Sequence, residues 1–187
     1  MGRFKKTFTK ILKKQDKNTF RGYTLLHMDG NGIRSACFTG HRELPDPLSP
    51  EYRELIKNAD MALNNAYEAG TREFYTGGAA GFDQIAGELV LRLKKKDPGV
   101  RLHILLPYEG YAGKLTSDER LRRKVLLEGA DEVTSLFSHY FKSCFLVRDK
   151  ALVENAEICI AYLRKSPSGT AWTVSLARQK GIPVVLL

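Results

Sequence analysis

Between positions 33 and 187, short apolar runs alternate with longer segments whose apolar residues recur at helical spacing, and no other feature constrains the fold as strongly. The spacing predicts strands over 33–39, 73–76, 100–106, 132–135, 156–163 and 182–187. It predicts helices over 51–69, 83–95, 117–128, 142–154 and 170–179. Pro45, Pro47 and Pro50 keep the first connection out of helix interior. The first helix carries Leu55, Ile56, Ala59, Met61, Ala62, Leu63 and Ala66 on its apolar side, and the third sets Glu119 and Glu128 near Arg and Lys partners. Strand alternating with helix implies an α/β fold, a doubly wound and mostly parallel sheet flanked by helices. Runs such as Ile158-Cys159-Ile160-Ala161 and Pro183-Val184-Val185-Leu186 are apolar throughout, as strands buried on both faces should be.

A chain of 187 residues with 43% hydrophobic residues is long enough for one domain with a core of its own. It has no apolar run of membrane-spanning length, and its N-terminus lacks the apolar segment of a signal peptide. Cys37, Cys144 and Cys159 show no metal-ligand spacing, so no metal site is expected. Their odd number and apolar settings suggest a reducing cytoplasm, with Cys144 the one thiol to watch. The net charge of +9 is concentrated at one end. Residues 1–21 hold eight basic residues against the single acid Asp16, which leaves 22 basic and 20 acidic residues elsewhere. Phe4, Phe8, Ile11 and Leu12 have helical spacing within this segment. It reads either as an amphipathic helix for an anionic membrane or nucleic acid, or as a solubilising extension. Asp29-Gly30-Asn31-Gly32 is a turn-rich linker, so residues 1–32 are expected to be an extension and 33–187 the domain.

Three polar loops follow predicted strands, and in open α/β sheets such loops converge on one crevice. In Thr76-Gly77-Gly78-Ala79-Ala80-Gly81-Phe82-Asp83, glycines precede a helix start, a combination that can present N–H groups to an anion. A tight turn with an Asp cap is the plainer reading of the same residues. Ser166-Pro167-Ser168-Gly169-Thr170 supplies hydroxyls before another helix, beside Arg164 and Lys165. The third loop, Thr39-Gly40-His41-Arg42, ends the first strand.

Together with Leu106-Pro107-Tyr108, Arg148-Asp149 and Ser168-Gly169-Thr170-Ala171-Trp172-Thr173-Val174, these segments resemble the YpsA-like branch of the SLOG superfamily, Rossmann-like proteins related to the DprA and LOG families. The resemblance covers about residues 33–187. It implies a Rossmann-like fold, a nucleotide or nucleotide-derived ligand and, as in many relatives, a homo-oligomer. The ligand contacts it implies are Gly40, Arg42, Gly77, Gly78, Ala79, Gly81, Asp83, Pro107, Tyr108, Arg148, Ser168, Gly169 and Thr170.

Each of these residue types suits that chemistry, and each has a plainer role. Arg42 and Arg148 can grip phosphate bidentately, or pair with Glu43 and Glu154. Tyr108 can stack on a base or pack under a loop. Asp83 can accept from ribose hydroxyls, and Thr170 can serve as an N-cap. Asp83 and His41 are the candidate acid–base residues. LOG enzymes cleave the N-glycosidic bond of nucleotide monophosphates with a glutamate three residues after a Gly-Thr pair; Thr173 stands there in this chain. Threonine cannot stabilise an oxocarbenium-like transition state by charge. A binding module for a nucleotide-type ligand (sensor, carrier or sequestering protein) is therefore the leading expectation. A nucleotide hydrolase and a DprA-like nucleic-acid binder are the alternatives.

Overall fold

The structure is a computed structural model that describes residues 33–112 and 115–187. The basic segment, its apolar spacing and the linker before Ile33 lie outside the described residues. Six strands form one sheet: β1 (Ser35–Gly40), β2 (Glu73–Thr76), β3 (Arg101–Leu106), β4 (Glu132–Ser135), β5 (Ile158–Tyr162) and β6 (Val184–Leu186). Five helices connect them: α1 (Pro50–Glu68), α2 (Phe82–Lys94), α3 (Ser117–Gly129), α4 (Cys144–Glu154) and α5 (Gly169–Lys180). The strand order is β4-β3-β2-β1-β5-β6, and every neighbouring pair is parallel. Helices α1, α2 and α3 pack side by side in one layer, while α4 and α5 pack together in the other. The result is the doubly wound, Rossmann-like α/β sheet expected from sequence.

Two cores follow from the alternation of side chains across the sheet. On the α1–α3 side Phe38, Phe74 and Phe82 are fully buried, with Phe38 stacked on Phe74 at 6.1 Å and meeting Phe82 edge-on at 6.5 Å. On the α4–α5 side Cys37, Leu105, Leu152, Cys159, Ala161, Val174 and Ala177 pack together. Cys37 and Cys159 are register partners on adjacent strands, and the hydrogen bond between their thiols, with burial, raises the Cys37 pKa well above its ordinary value. All three cysteines, Cys144 included, are buried free thiols.

Helix starts and faces follow local chemistry. Ser49 caps α1 by accepting from Tyr52 N–H at 3.1 Å, with Pro50 in the first turn where its missing donor costs nothing. Leu55, Ala59, Ala62, Leu63 and Ala66 form the buried stripe of α1, whereas Met61 is 39% exposed. Six residues beyond Leu55, Met61 points about 120° around the helix from it, so the Met61 expectation is corrected by helix geometry. In α3 Glu119 closes a capping box with Thr116 rather than pairing with a basic residue, while Glu128 does meet Lys124 at 3.7 Å. α4 begins at Cys144, two residues later than expected, because residues 141–144 form a turn in which Cys144 N–H bonds Phe141 C=O.

Candidate functional site

The strand order reverses between β1 and β5. After β4 the chain crosses to the far side of β1, so the loops leaving β1 and β5 diverge and leave a gap at the C-terminal edge of the sheet. A crevice of about 270 Å³ lies there. Its lining comes from all three loops singled out in the sequence: Thr39, Gly40, His41 and Arg42 after β1; Ala79 and Asp83 after β2; Gly169 and Thr170 after β5. The remaining wall is α4, which contributes Phe145, Arg148, Asp149 and Leu152.

Charge at the crevice is organised around Arg148. Its guanidinium is buried; Nε donates to Asp149 Oδ1 at 2.8 Å and Nη1 to the Gly77 carbonyl at 3.0 Å. Burial opposes its charge, but the attraction of Asp149 and Asp83 prevails and its pKa is raised. Arg148 therefore pairs with Asp149 rather than Glu154, whose carboxylate meets Lys150 at 3.5 Å. Asp83, in the first turn of α2, is pushed up to about 6 by burial and by the charge of Asp149, against the pull of Arg148. Asp149 is also raised by burial, although the charge and hydrogen bond of Arg148 favour its ionised form. The crevice thus holds two buried carboxyl groups, Asp149 bonded to the Arg148 guanidinium and Asp83 within reach of its charge. Sequence reasoning quoted Arg148-Asp149 as a motif but passed over Asp149 itself. The missed signal was its neighbour in sequence: a buried arginine needs a carboxylate beside it.

The glycine loop is built for Arg148 to lie against it. A Cβ on Gly77 would collide with the Arg148 guanidinium, its Cζ only 2.5 Å away, and would reach within 2.8 Å of Asp83 Oδ2. Gly81 has φ +83°, and a Cβ there would lie 2.6 Å from the His41 carbonyl. Two N–H groups of this loop have internal partners: Gly78 donates to Thr76 Oγ1 and Ala79 to Asp83 Oδ2, each at 3.4 Å. Of the stretch from Gly77 to Gly81, Ala79 lines the crevice.

On the opposite side Ser168 caps α5, its hydroxyl accepting from Ala171 N–H at 3.0 Å, so Thr170 is not the cap but a buried first-turn residue facing the crevice. Arg42 donates to Tyr111 Oη at 3.2 Å, while Glu43 instead takes Lys165 at 2.9 Å. His41 Nε2 accepts from Lys165 N–H at 3.2 Å. Burial and the Lys165 charge lower its pKa, and the neutral ring that results ties the β1 and β5 loops together. Pro107 is buried away from the crevice lining, and Tyr108 packs edge-on against Tyr111 at 5.5 Å, within an aromatic cluster.

A model of the YspA SLOG family matches residues 38–180, which spans every crevice residue named above. The chain belongs to the YspA SLOG family. Within this SLOG setting the chain is similar to an uncharacterised SPbeta prophage-derived protein, YoqJ, of Bacillus subtilis (strain 168). The two are 26% identical over 141 residues, 67% of this chain and 82% of the relative. Two solved structures share the SLOG domain's fold. DNA processing protein A from Helicobacter pylori aligns with a TM-score of 0.58 and 21% identity over 83% of this chain and 65% of that one. DNA processing protein A from Streptococcus pneumoniae aligns with a TM-score of 0.59 and 18% identity over 82% and 50%. This chain therefore spans between half and two thirds of those solved chains.

Proposed function

We propose that the crevice binds a nucleotide or nucleotide-derived small molecule, with the protein acting as its sensor, carrier or sequestering module. The observation that carries this reading is the convergence of Arg42, the N-terminus of α5 and the buried carboxyl groups of Asp83 and Asp149 on one switch-point crevice. The first N–H groups of a helix have no partners within it and favour an anion. Ser168 satisfies Ala171, and Gly169 and Thr170 line the crevice just ahead of it. A phosphate fits there beside Arg42. Asp83 and Asp149 are acceptors suited to ribose hydroxyls.

A thermal-shift screen against nucleoside mono-, di- and triphosphates, NAD, ADP-ribose and cyclic dinucleotides tests this. A ligand at 100 times its Kd adds about 2.7 kcal/mol, a shift of several degrees for a domain of this size. The expected result is a selective hit lost in Arg42→Ala; a flat screen rejects the reading.

Two other readings have specific support. Thr173 occupies the sequence position of the LOG glutamate and its hydroxyl donates to the Gly169 carbonyl at 3.0 Å, but Asp149 lines the same crevice, so a carboxylate is available to a hydrolytic reaction. Release of free base from a nucleotide, abolished in Asp149→Asn, would establish hydrolysis; recovery of intact ligand favours a carrier or sensor. The DNA processing protein A structure from Helicobacter pylori concerns single-stranded DNA binding. With the basic segment 1–21, that supports nucleic acid as an alternative partner, whose affinity would fall steeply with salt.

A further inference from the structure

Beside the crevice lies a group of aromatic rings that the phosphate and ribose contacts leave unused. Tyr108 and Tyr111 come from the connection after β3, Tyr140 from the connection after β4, and Phe145 from the first turn of α4. Tyr140 meets Tyr108 at 5.7 Å and Phe145 at 6.4 Å, and Phe145 packs edge-on against Tyr111 at 5.5 Å. Phe145 belongs to both places, because it also lines the crevice. Arg42 makes a second link through its hydrogen bond to Tyr111 Oη.

Burial is uneven across the group. Tyr111 is held inside, 6% exposed, with Arg123 over its ring at 4.9 Å, whereas Tyr140 is 58% exposed. A tyrosine that packs on half-buried rings and still offers most of its surface to solvent is a ready partner for another flat, polarisable group. The size of the crevice points the same way. At about 270 Å³ it falls near the lower end of small-molecule sites, ~300–1,000 Å³. With a sugar phosphate between Arg42, α5 and the carboxyl groups, Phe145 is the phenyl ring of the lining that an attached base can meet.

We propose that Phe145 and Tyr140 form a stacking shelf for the base of a nucleotide whose ribose phosphate occupies the crevice. The shelf rests on the crevice reading and narrows it: the ligand carries a nucleobase, and the aromatic shelf, indifferent to hydrogen-bonding edges, accepts more than one base.

Titration calorimetry on the full chain, with ribose 5-phosphate and the four common ribonucleoside 5′-monophosphates as ligands, tests it. The expected result is about tenfold or greater preference for the nucleotides over ribose 5-phosphate, which reflects the contribution of one stacked base. Tyr140→Ala and Phe145→Leu should each narrow that ratio, and Tyr140→Phe should restore it because the ring alone does the stacking. Equal affinity for ribose 5-phosphate and the nucleotides overturns the shelf and leaves the crevice reading standing. A nucleotide preference unchanged in both shelf variants also overturns it. Failure of every ligand to bind the wild-type chain overturns the crevice reading, and the shelf with it.

Discussion

At the scale of single residues, the centre of the site is a contact between a side chain and a missing one. Arg148 lies where a Gly77 Cβ would be, so Gly77→Ala must displace a buried, ion-paired guanidinium. We expect a loss of about 1–3 kcal/mol in urea unfolding, as for other overpacked sites. Asp83 gives a prediction with a definite sign. Its pKa is about 6 in the folded chain against an ordinary 3.8, so the folded state keeps a proton that the unfolded state has released. The stability from this group is fully present below about 3.8 and is lost as pH rises through about 6, up to about 3 kcal/mol in all. Asp83→Asn stays neutral throughout. Its stability relative to wild type should therefore climb between pH 4 and 6, as read by denaturation at each pH, while its affinity for the crevice ligand falls. A variant that tracks the wild-type pH profile would show that Asp83 ionises normally. The glycines and both arginines of the site were legible in the sequence because their motifs are local. The pairing of Arg148 with Gly77 was not, because 71 positions separate them.

At the scale of elements, helix starts were read well where a cap is written in the sequence and less well where the chain turns without one. Ser49 and Pro50 mark α1, and α1 begins there. At α4, Ser143 makes no side-chain cap, and the turn through residues 141–144 takes up positions that helical periodicity had assigned to the helix. α5 carries the clearest element-level prediction. Ser168 Oγ accepts from Ala171 N–H and donates to the Lys165 carbonyl at 2.9 Å, so it joins the β5 loop to the helix it starts. Ser168→Ala should lower stability by about 1 kcal/mol in chemical denaturation, the usual cost of a lost cap. An unchanged midpoint would mean that the α5 start does not depend on it. Ser168 was a candidate ligand contact from sequence; in the structure it orients the helix whose next two residues, Gly169 and Thr170, line the crevice.

At the scale of the whole molecule, the separation of charge from fold is testable. The basic excess belongs to residues 1–21, and the site belongs to 33–187. A chain beginning at Ile33 should unfold in one cooperative transition and retain the thermal shift produced by a crevice ligand. Loss of that shift on truncation would assign the ligand contact to the extension. The sequence by itself determined the alternation of strands and helices, the parallel sheet that this alternation requires, and the three polar loops at strand ends, because each depends on neighbours a few positions apart. Only the tertiary structure decided the order β4-β3-β2-β1-β5-β6, and that α4 closes the crevice the three loops share. It also brought Asp149 beside Arg148 as the buried partner, set Tyr140 against Phe145 of the crevice wall, and laid Gly77 against the Arg148 guanidinium. Those outcomes depend on which elements pack together, and the cost of burying a charge without a partner then selects the pairing that persists.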